Sequence, residues 1–328
     1  MRSRIEAMWY GRRGPVWMVP LSGLYGLVMA FRSVLYRLGL RHRIKVGVPV
    51  VVVGNLTVGG TGKTPLVAWL STHLAAVGMR VAIVSRGYGG KARGVTRVTL
   101  HSRPSEVGDE PLLLARRAQA TVFIGRDRVA AAKAAVADGA DIVLSDDGLQ
   151  HLALVRNCEI VVIDGQRGFG NGSLLPRGPL RESPRRLRRV NAVVINGPLK
   201  PGLQLPGFLS RTAFTMQMRP GDARPVAGSG QLRSLASFRG TGVHAVAAIG
   251  NPQRFFDMLR EAGLTLYEHP LPDHHDFKAG DLEFGDSLPV LMTEKDAVKC
   301  LSFALPRLWY VSVSATFPEA EGRALLDR

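Results

Sequence analysis

The feature that most constrains this chain is the join between "VPVVVVGN", Val48 to Asn55, and "GNLTVGGTGKTP", Gly54 to Pro65. The first string is a short β-branched apolar run bounded by Pro49 and Gly54, the pattern of a strand covered on both faces. The second places Gly59, Gly60 and Gly62 ahead of Lys63 and Thr64, and "TPLVAWLSTHLAAVG" continues it as a helix with Leu66, Leu70 and Leu74 four residues apart. Pro65 falls in the first turn, where proline has no hydrogen bond to lose, and Gly78 closes the helix. Strand, glycine loop and helix in that order predict a phosphate-binding loop, because backbone N–H groups and the helix N-terminus together surround anionic oxygens. The strict pattern G-x-x-x-x-G-K-[ST] requires glycine where this chain has Thr57. The remaining glycines keep the backbone free to curl, so Thr57, Val58, Gly59, Gly60, Thr61, Gly62, Lys63 and Thr64 are expected to bind a nucleotide. In that frame Lys63 reaches the β- and γ-phosphates and the Thr64 hydroxyl coordinates magnesium.

The α/β alternation continues downstream. "RVAIVSRGYGG" predicts a second strand ending in a glycine-rich loop, "ATVFIG" a third, and "DRVAAAKAAVADG" a helix. "ADIVLSDDGLQH" predicts a fourth strand that runs into Asp146 and Asp147, the expected second magnesium-binding element, acting directly or through water. "EIVVIDG" and "NAVVING" add two more buried strands. The fold class expected is α/β: a P-loop NTPase-like, doubly wound, mostly parallel sheet with its ligands at the strand C-termini. Four segments follow from the pattern. Residues 1–45 form an N-terminal membrane-associating helical segment, 46–200 the P-loop core, 201–242 a linker with a possible β-ribbon around "SRTAFTMQMRP", and 243–328 a smaller C-terminal α/β domain. In the last, "VHAVAAIG", "VLMTEKDAVK" and "LWYVSVSA" read as strands. "PQRFFDMLREAG" reads as a helix capped by Asn251 and closed by Gly263.

Charge narrows the partners. Lys and Arg number 43 against 26 acidic residues, a net charge of +17, so an anionic partner is expected: nucleic acid, acidic membrane or phosphorylated substrate. The basic run "RGPLRESPRRLRR" has no interleaved aromatic residues for base stacking, which argues against nucleic acid. Arg185, Arg186, Arg188 and Arg189 within it read as a solvated or membrane-facing surface. "TEKD", Thr293 to Asp296, does not match the guanine-reading N-K-x-D, which argues against a GTPase. Cys158 and Cys300 lie far apart without C-x-x-C spacing, so neither a zinc site nor a disulfide scaffold is indicated and a reducing compartment fits best.

The stretch Gly14 to Phe31 carries no charge and is followed by Arg32, Tyr36 and Arg37 in place of a small-residue cleavage site, which argues against a signal peptide. Helical spacing gathers Leu21, Leu24, Tyr25, Leu27, Val28, Phe31, Leu35 and Leu38 on one face and Ser22, Gly26, Ala30, Ser33 and Arg37 opposite. Arg32 falls in the apolar sector, where it is expected to snorkel. Pro20, Gly23 and Gly26, with Arg2, Arg4, Arg12 and Arg13 on one flank and Arg32, Arg37, Arg41 and Arg43 on the other, favour a helix lying in the membrane interface. A spanning helix and a core helix remain the alternatives, since periodicity does not separate them.

The strings "VPVVVVGNLTVGGTGKTP", "VSRGYGG", "GDEP", "DDGLQH", "VVIDG", "FGNGSLLPRGPLRE", "PDHH" and "MTEKDAVKC", in this order, resemble the tetraacyldisaccharide 4'-kinases, the lipid A 4'-kinases of Gram-negative bacteria. The resemblance runs from the apolar N-terminal helix to about Cys300 and includes threonine at position 57. It implies transfer of the γ-phosphate of ATP, with Mg2+, to the 4'-hydroxyl of a tetraacylated, 1-phosphorylated glucosamine disaccharide in lipid A biosynthesis. The partners implied are that acylated lipid and the cytoplasmic face of the inner membrane, with no nucleic acid and no protein partner required. The resemblance also implies a general base at Asp109, in "GDEP", paired with His274 of "PDHHD", while His275 falls at a variable position. Arg181 and Glu182 of "PLRE" are implied to lie near the nucleotide and metal, with Gln150 of "DDGLQ" beside them. Without the resemblance, Asp109 reads as a helix N-cap with Pro111 in the first turn. A lobe carrying His274 would complete the site on closure and exclude water. The other function open to these residues is a membrane-associated P-loop ATPase that regulates a partner.

Overall fold

The computed structural model describes the chain apart from residues 1, 12, 13, 202, 204, 208, 210–212, 228, 229 and 304, and of residues 2, 3, 4 and 6 it describes the backbone alone. The β-branched run at its centre forms β1 (Val50–Gly54), which pairs in parallel with β5 (Ile142–Asp146) on one side and β6 (Cys158–Asp164) on the other. Outward from these lie β2 (Val81–Ser85), β4 (Thr121–Ile124) and β7 (Ala192–Asn196), all parallel. β3 (Thr96–Val98) closes that edge as an antiparallel strand. Every residue of β2, β5, β6 and β7 is buried, which is why these strands read as continuous apolar runs and not as alternating ones.

Helices cover both faces. α3 (Lys63–Ala76), α4 (Pro104–Val107) and α5 (Asp109–Arg117) precede α6 (Arg128–Ala137), following α1 (Arg2–Tyr10) and α2 (Val19–Arg37) at the N-terminus. The pleat divides the core between the faces: Val53, Ile83 and Ile160 pack with Leu66 of α3, while Val52, Val84 and Val161 pack with Ala131 and Ala135 of α6. α6 starts at Asp127, whose side chain accepts from the Val129 and Ala130 amides and satisfies two of the helix's orphan donors.

The C-terminal lobe continues the same sheet. β9 (Gly242–Ala247) pairs in parallel with β10 (Thr265–Pro270) and β11 (Val290–Thr293), and β11 pairs with β12 (Leu308–Thr316). α7 (Pro252–Glu261), α8 (Glu294–Ala297) and α9 (Glu319–Leu326) complete it. The junction is β8 (Ala213–Pro225): its first four residues pair in parallel with β7, and Gln217 to Pro225 pair antiparallel with β12. The full order is β10-β9-β11-β12-β8-β7-β6-β1-β5-β2-β4-β3. β8 lies within the segment 201–242, and residues 210–212 at the start of "SRTAFTMQMRP" lie outside the described residues.

α2 packs on this body with its polar side. Ser22 is its one buried residue, whereas Leu24, Leu27, Val28 and Phe31 face solvent, Leu27 at 69% and Phe31 at 65% exposure. Arg32 does not snorkel: its guanidinium Nη2 donates to the Gln150 carbonyl at 2.9 Å, so it belongs to the face that meets the protein. Tyr25, grouped by spacing with the apolar face, donates its hydroxyl to the Arg181 carbonyl at 3.1 Å. Of the flanking arginines, Arg12 and Arg13 lie outside the described residues, as do the side chains of Arg2 and Arg4.

Candidate active site

The glycine loop runs from β1 into α3 with Gly62 at φ +94°, a left-handed turn that puts Lys63 and Thr64 in the first turn of the helix. A side chain at 62 would collide with the Asn196 amide and with Met218, so this glycine is required by space as well as by backbone. Asn196, at the end of β7, donates to the Thr61 carbonyl at 2.8 Å, and Arg254 of α7 donates to Asn196 Oδ1 at 2.6 Å. Thr57 is buried and forms a β-bridge with Leu180, flanked by the bonds Val58 N to Pro179 O at 2.8 Å and Arg181 N to Leu56 O at 2.6 Å. The first half of the loop is therefore held against the "GPLRE" segment by backbone pairing. Thr57 is not among the residues with positive φ, so its backbone does not require glycine, which explains the departure from the strict glycine pattern.

Two aspartates end β5 in different environments. Asp147 sits at φ +48° and receives Arg181 Nη1 at 3.1 and 3.0 Å on its two oxygens, with Lys63 Nζ 3.6 Å away. Burial would raise its carboxyl, but Lys63 and Arg181 outweigh burial and hold it at about 2. Arg181 Nη1 also donates to Gln150 Oε1 at 3.3 Å, Gln150 Nε2 donates to Glu182 Oε1 at 2.9 Å, and Arg186 Nε lies 3.5 Å from Glu182 Oε2. Asp146 is 1% exposed and its Oδ1 has no hydrogen-bond partner. Burial, reinforced by the charge of Glu110, raises its carboxyl well above the usual range. An orphaned, buried carboxylate oxygen close enough to Lys63 to feel its charge is a hard donor suited to a magnesium ion, which uses one or two carboxylates and takes its other oxygens from water and phosphate. Asp147 and Glu182 are engaged by arginines. Among the described residues no three His, Cys, Asp or Glu side chains converge as a metal cluster.

Asp109 is the first residue of α5, and the N-cap position belongs to Gly108 at φ +91°. The helix-cap reading of Asp109 is thereby corrected. Its Oδ2 accepts from His274 Nδ1 at 3.0 Å, and its Oδ1 accepts from the Glu110 amide at 2.9 Å. His274 adopts φ +64°; it and Asp147 are the only non-glycine residues with positive φ among those described, and both lie here. Backbone held in that region costs about 1 to 3 kcal/mol and concentrates at functional sites. His275 bonds instead to Asp281 at 2.9 Å.

The "MTEKDAVKC" segment contributes what sequence reasoning missed. Lys299 Nζ lies 3.7 Å and Lys295 Nζ 4.0 Å from Asp109 Oδ2, and Lys295 also reaches Glu110 at 2.8 Å and Asp273 at 3.6 Å. Burial by itself would raise the Asp109 carboxyl. The His274 hydrogen bond and the charges of Lys295, His274 and Lys299 overcome it and hold Asp109 at about 2. Asp296, fully buried, pins Lys299: it accepts from the Ala248 amide at 2.9 Å and the Thr293 hydroxyl at 2.7 Å, and from Lys299 at 3.1 Å. The four-residue spacing of Lys295 and Lys299 was the available signal, since it puts both on one side of a helical turn.

A phosphate loop, paired carboxylates and an aspartate held by a histidine of the second lobe form an arrangement suited to phosphoryl transfer. The sequence model of the tetraacyldisaccharide-1-P 4'-kinase family (LpxK) matches residues 15–328. The chain belongs to that family. Among curated relatives named tetraacyldisaccharide 4'-kinase, that of Alkalilimnicola ehrlichii is 51% identical over 99% of this chain and 96% of its own length. That of Methylobacillus flagellatus is 46% identical over 99% and 95%. Among solved structures, the "apo" form of LpxK from Aquifex aeolicus in complex with ATP superposes with a TM-score of 0.77 at 28% identity, covering 94% of this chain and 97% of that one. The family and its P-loop α/β fold are those the motifs pointed to.

Proposed function

We propose that this protein transfers the γ-phosphate of ATP to the 4'-hydroxyl of a tetraacylated glucosamine disaccharide 1-phosphate at the cytoplasmic face of the inner membrane, in lipid A biosynthesis. The observation that carries this reading beyond family membership is the Asp109 to His274 hydrogen bond, which joins the two lobes beside the P-loop aspartates. Glu110 links the halves, being next to Asp109 and close enough to Asp146 to raise its carboxyl.

In this reading the loop amides from Gly59 to Gly62 and the ammonium of Lys63 hold the β- and γ-phosphates, while the Val58 amide, bonded to Pro179, anchors the loop. Mg2+, held by Thr64 and Asp146 with Asp147 and Glu182 around it, would neutralise charge on the phosphate oxygens. Asp109 orients the sugar hydroxyl and accepts its proton. A carboxylate held near 2 is a weak base, which suits a loose phosphoryl transfer in which positioning dominates and the proton leaves late. His274 Nδ1–H fixes the orientation of that carboxylate. Lys295 and Lys299 close the lobe onto Asp109 and exclude water that would otherwise compete as acceptor.

The exposed apolar face of α2, next to Arg37, Arg41 and Arg43, supports contact with an anionic lipid surface. Hydrogen bonds from Ser22, Tyr25 and Arg32 to the body of the protein support a helix that lies on the membrane and does not cross it. Transfer of 32P from [γ-32P]ATP to the purified disaccharide lipid, with Lys63→Ala as control, tests the reading. ADP release without labelled lipid would overturn it in favour of a regulatory ATPase.

A further inference from the structure

The side of α2 that meets the protein touches the residues that organise the metal-side carboxylates. Tyr25 Oη donates to the carbonyl of Arg181 at 3.1 Å, and Arg32 Nη2 donates to the carbonyl of Gln150 at 2.9 Å. The side chains of those same two residues bond to each other, to Asp147 and to Glu182. Ser22 adds a third anchor, donating to the Leu174 carbonyl at 2.9 Å and accepting from the Arg177 amide at 3.2 Å. Gly26 lies where an added Cβ would come within 2.9 Å of Leu174, so the helix sits close against the "SLLPRGPLRE" segment. α1 makes a parallel contact with the nucleotide loop itself: Tyr10 Oη donates to the Val58 carbonyl at 3.0 Å.

An amphipathic helix of a water-soluble body normally turns its apolar stripe inward. Here the polar positions 22, 25 and 32 turn inward and Leu21, Leu24 and Leu27 outward, so the face against the protein is held by a few hydrogen bonds with little apolar packing. In water such a helix is weakly fixed. An acyl-chain surface against Leu24, Leu27 and Phe31 would fix it from the other side.

We propose that α2 is a wall of the active site as well as an anchor, and that lipid contact on its apolar face positions Gln150 and Arg181 through Arg32 and Tyr25. These two are positioning residues: through them, seating on lipid settles the Asp147, Arg181, Gln150 and Glu182 network and raises turnover. The kinetic arm of the test rests on the proposed kinase reading, whereas the structural arm does not.

The test uses the full chain and the double variant Tyr25→Phe/Arg32→Ala, with vesicles of phosphatidylethanolamine and phosphatidylglycerol. Vesicles should slow hydrogen exchange of residues 148–152 and 181–182 in the parent by about tenfold, and this response should vanish in the double variant while cosedimentation with vesicles persists. With the lipid acceptor in vesicles, kcat of the double variant should fall about tenfold with KM for ATP nearly constant, and Arg32→Lys, which keeps a donor, should regain part of it. Parent amides that do not respond to vesicles, or a double variant that responds as the parent does, overturns the proposal. A double variant that melts lower yet keeps the vesicle response also overturns it, because the bonds are then merely structural. If the parent labels no lipid, the kinase reading falls and the exchange response still decides the coupling.

Discussion

Asp146 and Asp109 are buried to nearly the same degree, at 1% and 5% exposure, yet their carboxyls shift in opposite directions. Burial pushes both upward. At Asp109 the second lobe supplies His274, Lys295 and Lys299, so the cations that offset burial are resident in the chain. Asp146 keeps an orphaned oxygen and a neighbouring Glu110, and Lys63 and Arg128 do not suffice to offset them. The difference separates two kinds of site. One carboxylate is completed by the protein closing on itself, and in the proposed reading the other would be completed by a cation that arrives with the nucleotide.

The sharpest way to break this comparison is kinetic. Asp109→Ala should lower kcat by about 10²- to 10⁴-fold with little change in KM for ATP, because the nucleotide is held on the other half of the site. Steady-state rates of lipid phosphorylation at saturating ATP measure it. Equal losses in kcat and ATP affinity would mean that the two halves do not divide the work as their charges suggest.

Stability provides the next test, since the two aspartates should depend on pH with opposite signs. Asp109 has its folded value lowered from 3.8 to about 2, so it contributes stability above its unfolded value that disappears as pH falls through about 2. The shift corresponds to about 2 kcal/mol at neutral pH, and Asp109→Asn should lower the melting temperature there. Asp146 has its folded value raised, so its contribution falls as pH climbs from the unfolded value through the folded one. In metal-free protein at pH 8, Asp146→Asn should therefore raise the melting temperature. Mg2+ with ATP should stabilise the parent more than the Asp146→Asn variant, and chelation should stop turnover. A fall in melting temperature for metal-free Asp146→Asn would show that the orphaned oxygen is satisfied from within the chain.

The two halves also differed in how far they could be read from residues alone. Lys63 and Thr64 announce themselves through local pattern, because a strand, a glycine loop and a helix are contiguous in sequence, whereas Asp146 and Asp147 are legible only as a pair that the pattern does not separate. The reason for Thr57 was not local: it lies in a bridge to Leu180. Asp109 pairs with a residue 165 positions away, and only the motif resemblance pointed to His274. Lys295 and Lys299 lie in "MTEKDAVKC" at helical spacing, yet nothing local pairs them with Asp109, because that contact depends on β8 carrying one sheet into the other lobe. That strand changes partners after Met216, and no feature of "AFTMQMRPGDARP" marks the change. β3 is three residues long, too short for periodicity to register. For α2 the spacing identified an apolar face, yet which face meets the protein followed from hydrogen bonds made by Ser22, Tyr25 and Arg32.

The smallest expected effect tests the resident cations directly. Lys295→Met removes one positive charge from beside Asp109, Glu110 and Asp273 while keeping most of the side-chain volume. Asp109 should then titrate at higher pH, because burial acts against fewer compensating charges. Its stabilising contribution should accordingly be lost at a higher pH than in the parent as the solution is acidified. At pH 8 the carboxylate is still ionised, so kcat should change by only about threefold, whereas the acid limb of the kcat/KM profile should move to higher pH. Rates and melting temperatures carried down from pH 8 to about 2, where the parent carboxylate titrates, separate these effects. An acid limb that stays in place would show that His274 and Lys299 hold the charge on Asp109 without Lys295. The cation that matters would then be the one fixed by Asp296, and Lys295 would serve Glu110 and Asp273 instead.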